Sequence, residues 1–191
     1  MKKILILIIC FTAAAQVCYA WGMLTVFAGG KFLESKQWKP VNEHLLRAVR
    51  FDFGDQTHFA NLALDYYISN SEKMAFENNT LTNFSAKTEE IRIGLRGYYG
   101  DKIRIFGAGG VTNITSSLSK QTAQGDNICS GSTGYNFFSN GVWAEAGMDY
   151  AVGNTFIAGI AASYSDGRIK CSGKNQQIGG INAGFYFGVS L

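Results

Sequence analysis

Between Thr88 and Gly110 the chain separates oil from charge with a period of two. Ile91, Ile93, Leu95, Gly97 and Tyr99 fall on one parity and Glu90, Arg92, Gly94, Arg96 and Tyr98 on the other. After Gly100-Asp101 the alternation resumes, with Ile103 and Ile105 set against Lys102 and Arg104. A period of two is the signature of a strand whose faces meet different surroundings, and a Gly-Asp pair between two such runs marks a tight hairpin.

The same reading along the whole chain predicts eight strands, over residues 23–32, 43–53, 57–69, 88–99, 102–113, 138–152, 155–166 and 177–191. Their connections alternate in length. Short ones lie near Gly54, Gly100 and Gly153, and long ones cover 33–42, 70–87, 114–137 and 167–176. Turns at one end and loops at the other describe an up-and-down meander. The second strand is the least marked, because the run from Asn42 also fits a short amphipathic helix through Leu45, Leu46, Val49 and Phe53. Strand is the expectation, since Val49, Phe51 and Phe53 alternate and a seven-strand meander would not close with both ends on one side.

Alternation alone does not say which face meets water. Three features point outward for the oil. The polar parity is interleaved with small residues (Gly29, Gly94, Ala108, Gly110, Gly147, Gly159, Ala161, Gly184), which suit a crowded interior. The apolar parity is continuous, as in Val142, Ala144, Ala146, Met148 and Tyr150 or Ile181, Ala183, Phe185, Phe187 and Val189. Eight such faces in water would exceed the few hundred Å² of apolar patch that soluble monomers tolerate. Finally, hydrocarbon satisfies no backbone group, so strands within it must close into a ring.

The first twenty residues agree with export. Lys2 and Lys3 precede an apolar run from Ile4 to Ala15, and Cys18-Tyr19-Ala20 ends in small residues at the positions a signal peptidase reads. The run is too short for the roughly 20 apolar residues of a spanning helix, and Ala15-Gln16-Val17 before Cys18 lacks a lipobox pattern. The expected organisation is a cleaved signal at 1–20 and one domain at 21–191. Of 17 Lys+Arg and 14 Asp+Glu, the signal removes two bases, leaving 15 − 14 = +1. A near-neutral exported chain carries no footprint for nucleic acid. Charged residues are only 16% of the chain, with 23 glycines and one proline, Pro40.

By parity the lumen would hold Lys31, Arg50, Arg92, Arg96, Lys102 and Arg104 against Asp52, Asp65, Glu90, Glu145 and Asp149. An eight-stranded ring is wide enough only for side chains. These groups should therefore pair across it and plug the barrel, because lone buried charges are costly. One cation, Arg47, falls on the outward parity. It is expected near the loop end of strand two, where its long side chain can reach headgroups.

These features together resemble the small eight-stranded outer-membrane β-barrels of Gram-negative bacteria, the opacity-protein, OmpA-transmembrane and OmpX/Ail group. The C-terminal run GGINAGFYFGVSL is similar to the group's sorting signal through Asn182, Gly184, Phe187 and Val189, although it ends on Leu191 where Phe is usual. The resemblance implies an all-β, eight-stranded, antiparallel transmembrane barrel with short periplasmic turns and long extracellular loops. It also implies insertion by the barrel-assembly machinery and lipid and lipopolysaccharide as neighbours.

Cys10 and Cys18 leave with the signal, and Cys129 and Cys171 fall in two neighbouring long loops, where an oxidising compartment favours a disulfide. No metal or cofactor is expected from two cysteines without nearby histidine. An enzyme is not expected either. The run Phe137-Phe138-Ser139-Asn140 only superficially resembles the His-x-Ser-Asn stretch of lipid A deacylases, with Phe137 where the base would stand. The leading expectation is a monomeric, plugged barrel whose polar loops contact a host or other extracellular ligand. The alternative is a narrow OmpW-like path for small hydrophobic compounds, suggested by Phe27, Phe106, Trp143 and Ile157 on the lumen parity.

Overall fold

In a computed structural model, residues 22–33, 39–54, 60–77, 80–121, 137–153, 155–171 and 174–191 are described. They form β1 (Gly22–Phe32), β2 (Glu43–Phe53), β3 (Asn61–Glu77), β4 (Thr80–Gly100), β5 (Ile103–Gln121), β6 (Phe137–Val152), β7 (Phe156–Asp166), β8 (Arg168–Cys171), β9 (Lys174–Gln177) and β10 (Gly180–Ser190). Eight of these close into an antiparallel barrel in the order β1-β2-β3-β4-β5-β6-β7-β10, while β8 and β9 form a separate two-stranded ribbon. The ring is sealed by pairing of β1 with β10, from Met23↔Ser190 to Phe32↔Ile181. Within the belt no edge is left for another chain to extend. The signal expected at 1–20 and Cys129 lie outside the described residues.

The expected alternation sets which way each strand faces. Ile93, Ile105 and Phe187 are 50%, 56% and 68% exposed on the outer wall, whereas Arg92 and Arg96 are fully buried inside. On β5 the outward apolar run extends from Ile103 to Val111. At roughly 3.3 Å per residue and a tilt of about 40° it covers about 20 Å, most of the hydrocarbon height such barrels present. Tyr99, Tyr150 and Phe156 ring its turn end. An outer surface of this composition faces lipid, as hydrocarbon requires of a closed ring.

Turn chemistry works at the opposite end from the loops. Gly100 adopts φ +112°, a conformation open to glycine but strained for other residues, and so lets β4 reverse into β5. Inside the ring, glycine makes room for rings: a Cβ on Gly147 would strike the Phe106 ring.

Three strands run much further than the alternation predicts. The segment 70–87, expected as a loop, is instead a hairpin in which β3 and β4 stay paired from Asn70↔Lys87 to Glu77↔Thr80. β5 follows β4 up to Asn83↔Gln121, so part of 114–137 is also strand. The cause lies in the phase of the pattern. Outward residues on β4 are Leu95, Ile93 and Ile91, then Glu89, Lys87, Ser85 and Asn83. Inward residues change from Arg96, Arg92 and Glu90 to Ala86 and Phe84, which are buried. The strand leaves lipid for water, and oil and polarity exchange faces.

Above the lumen the inward apolar residues form their own core. Leu33, Val41, Phe84, Ala86, Ile114 and Ile178 pack together, with Ala75 against them. The segment 167–176, another expected loop, carries β8 and most of β9. Ile178 then folds back by donating its amide to the Gly167 carbonyl at 2.9 Å.

Candidate functional site: the ionic lumen

The side chains that meet inside the ring come from alternate positions of all eight strands. Ten of the eleven charges assigned to the lumen by parity are buried: Lys31, Arg50, Arg92, Arg96 and Arg104 with Asp52, Asp65, Glu90, Glu145 and Asp149. Lys102 is the correction. It lies exposed in the β4–β5 turn, because Asp101 and Lys102 make the reversal and β5 begins at Ile103. Five cations then face five anions.

The groups are layered along the barrel axis. Near the turn end Arg104 donates through Nε and Nη2 to the two Asp149 oxygens at 2.7 and 3.0 Å, the bidentate form that fixes a guanidinium most firmly. Tyr186 donates to the same carboxylate at 2.9 Å, and Tyr98 donates to Asp52 at 2.5 Å. In the middle Arg96 bonds to Asp52, and also to Asp65 at 2.8 Å and Glu145 at 3.4 Å. Arg50 reaches Glu145 at 2.7 Å, and Tyr67 donates to the other Glu145 oxygen at 3.1 Å.

Toward the loop end Arg92 donates Nε to Glu90 at 2.8 Å and Nη1 to Ser163 at 2.9 Å. Lys31 lies 3.4 Å from Glu90 and 3.2 Å from Thr88 Oγ1. Thr88 and Ser69 share a hydrogen bond at 2.5 Å. His44 Nε2 donates to the Val41 carbonyl at 2.9 Å, so its Nδ1 accepts from the Ser69 hydroxyl at 3.0 Å. The apolar core on Phe84 and Ile114 closes over this layer.

Phe106 and Trp143, two of the aromatic residues proposed from sequence to line a path, serve as platforms for guanidinium groups. Arg50 lies 4.7 Å from the Tyr186 centroid and 5.6 Å from that of Phe106; Arg92 lies 4.1 Å from that of Tyr67 and 5.4 Å from that of Trp143. Cation–π contact gains strength in such desolvated surroundings. Phe27 packs edge-on to Tyr67, 5.9 Å between centroids, and Ile157 joins the same buried cluster.

Sequence reasoning missed Tyr67, Tyr98, Tyr186, Thr112, Ser69 and His44 as members of this network. Their inward parity was the available signal, but a charge-first reading passes over hydroxyls. Of the residues expected to form a sorting signal, Asn182 is buried and donates to Ser163 at 3.2 Å, Gly184 pairs with Gly29 across the closing seam, Phe187 faces out and Val189 pairs with Leu24. Ser139 accepts a hydrogen bond from the Arg168 amide at 2.7 Å, tying β6 to β8. Nothing is described of the Cys171 side chain, although the residue ends β8.

No protein-family model and no curated protein sequence matches the chain. Among solved structures, it is similar to Neisserial surface protein A, with TM-score 0.54 and 10% identity over 90% of this chain and 96% of that one. It is also similar to Ail of Yersinia pestis, solved with the heparin analogue sucrose octasulfate, with TM-score 0.53 and 10% identity over 88% and 96%. A third similar structure is OprG of Pseudomonas aeruginosa, with TM-score 0.52 and 13% identity over 88% and 90%. At these identities the shared property is the fold. With its closed meander and lipid-facing belt, this chain has the fold of the small eight-stranded outer-membrane barrels.

Proposed function

We propose that the protein is a surface-interaction barrel. Exported by its 1–20 segment and assembled through its C-terminal signal, it sits as a monomer with a sealed lumen and displays the β3–β4–β5 extension to an extracellular partner. The observation that carries this reading is the pairing of three strands beyond the belt. From Asn70 to Glu77 β3 rises by roughly 25 Å along its own direction. The β3–β4 hairpin ends in apolar side chains turned to water, with Met74 and Phe76 of β3 and Leu81 of β4 at 71%, 79% and 54% exposure. Exposed oil on a rigid projection marks a contact surface. The extension carries both signs, including Glu72, Lys73 and Lys87, which favours a protein partner over a polyanionic glycan.

The test is adhesion of cells displaying the chain to immobilised matrix proteins. A triple variant, Met74→Ser with Phe76→Ser and Leu81→Ser, should lose adhesion while keeping the gel shift between unheated and boiled samples. Equal adhesion by the two would overturn the role of the tip. The sealed lumen is tested separately in planar bilayers. Absence of steady conductance is expected, and reproducible unitary openings would favour the channel alternative.

A further inference from the structure

The outer wall holds one feature that a uniform lipid-facing belt would not. Arg47 on β2 is exposed on the same parity as Val49 and Phe53, in register with Ala28 on β1 and Ile68 on β3. It has no ion pair or hydrogen bond among the described residues. Beside it opens a groove of about 610 Å³ whose lining includes Val26, Ala28, Val49, Tyr66, Phe185 and Phe187 together with Arg47 and Asn70.

We infer that this groove binds a phosphorylated lipid of the loop-side leaflet, with its phosphate held by Arg47 and Asn70 and an acyl chain lying over Ala28. The inference rests on the lipid-facing reading of the outer wall. Three observations converge on it. First, the position is one outward residue inside the loop-side margin of the belt: above it on β2 only Leu45 is apolar before Glu43, and Leu45 pairs with Asn70, which is polar and pairs with Lys87. A side chain there reaches headgroups, whereas an arginine at the midplane would be strongly disfavoured.

Second, the cation has no partner of its own. The nearest outward acid on the strand beyond, Glu89, lies 2.5 Å from Lys87. A guanidinium at the edge of hydrocarbon calls for an anion, and its planar fork matches phosphate. Third, the groove is lined almost wholly by apolar side chains, and its volume of about 610 Å³ beside the small Ala28 is enough for a length of hydrocarbon chain. Guanidinium and chain-sized cleft thus fit one amphiphile.

The experiment uses the full mature chain in maltoside micelles, with bisphosphorylated lipid A or its enzymatically dephosphorylated form added, and native mass spectrometry to count retained lipid. Wild type should retain the phosphorylated form, and Arg47→Gln should retain it roughly tenfold less, the scale of one lost charge-assisted contact. Ala28→Phe, which fills the groove and leaves the charge, should lower retention similarly. The dephosphorylated lipid should bind all three alike and weakly. Equal retention by wild type and Arg47→Gln, undiminished retention by Ala28→Phe, or indifference to phosphate would each overturn the proposal. Removing an outward charge should not impair folding, and a boiled-against-unboiled gel on each sample checks this. Failure of that gel shift in wild type would instead sink the membrane-barrel reading itself.

Discussion

The lower and upper parts of β4 are one continuous strand with opposite rules. From Leu95 to Ile91 the outward side chains are apolar and the inward ones are Arg96, Arg92 and Glu90; from Glu89 to Asn83 the outward ones are polar while Ala86 and Phe84 are buried within. Backbone geometry, pairing and parity do not change between them. The solvent does. The lower half is held by charge neutralised inside a ring that lipid surrounds, and the upper half by an ordinary apolar core that water surrounds. The hydrophobic effect places oil away from water in both, against lipid on the outside in the lower half and within the ring in the upper half.

The comparison can be broken most severely in the lower interior. Arg96 serves Asp52, Asp65 and Glu145 together. Arg96→Met should therefore leave the buried carboxylates one positive charge short and cost about 3–5 kcal/mol or prevent refolding, as read by urea titration in lipid vesicles. Next comes a substitution whose cost depends only on height. Ile93→Lys, outward in the belt, should destabilise by about 2–4 kcal/mol in the same titration. Ser85→Lys, outward on the same strand in the water-surrounded half, should change stability by no more than about 0.5 kcal/mol. Smallest of all, Phe76→Ser at the exposed tip should leave the unfolding midpoint unaltered within error and be seen only in adhesion.

How far the sequence could be read follows from the same contrast. Alternation located β2 to its observed limits, Glu43–Phe53, and set the inward parity that carries Arg50, Arg92, Arg96 and Glu145. It stopped at Ser69 and Thr88 because the hydrophobic pattern reverses phase there. A reversed phase on an unbroken strand looks like a break when one solvent is assumed throughout. Lys102 was misplaced for a related reason: parity counted through a turn continues to assign faces where no barrel wall exists. The apolar cap on Leu33, Val41 and Ile178 was not legible at all, since Leu33 and Val41 stand in the β1–β2 connection and Ile178 just before β10, and only the closed ring brings them together.

The central claim is that the phase reversal near Glu89 on β4 marks the loop-side surface of the bilayer. Single cysteines placed at 95, 93, 91, 89, 87, 85 and 83 in a chain with Cys129→Ser and Cys171→Ser, each carrying a nitroxide in lipid vesicles, report this directly through collision with oxygen and with a water-soluble nickel chelate. The account predicts oxygen-dominated collision at 91, 93 and 95, a crossover at 89, and nickel-dominated collision at 87, 85 and 83. Uniform access of the nickel chelate along the whole series, or a crossover displaced to the middle of the Leu95–Ile91 run, would contradict it.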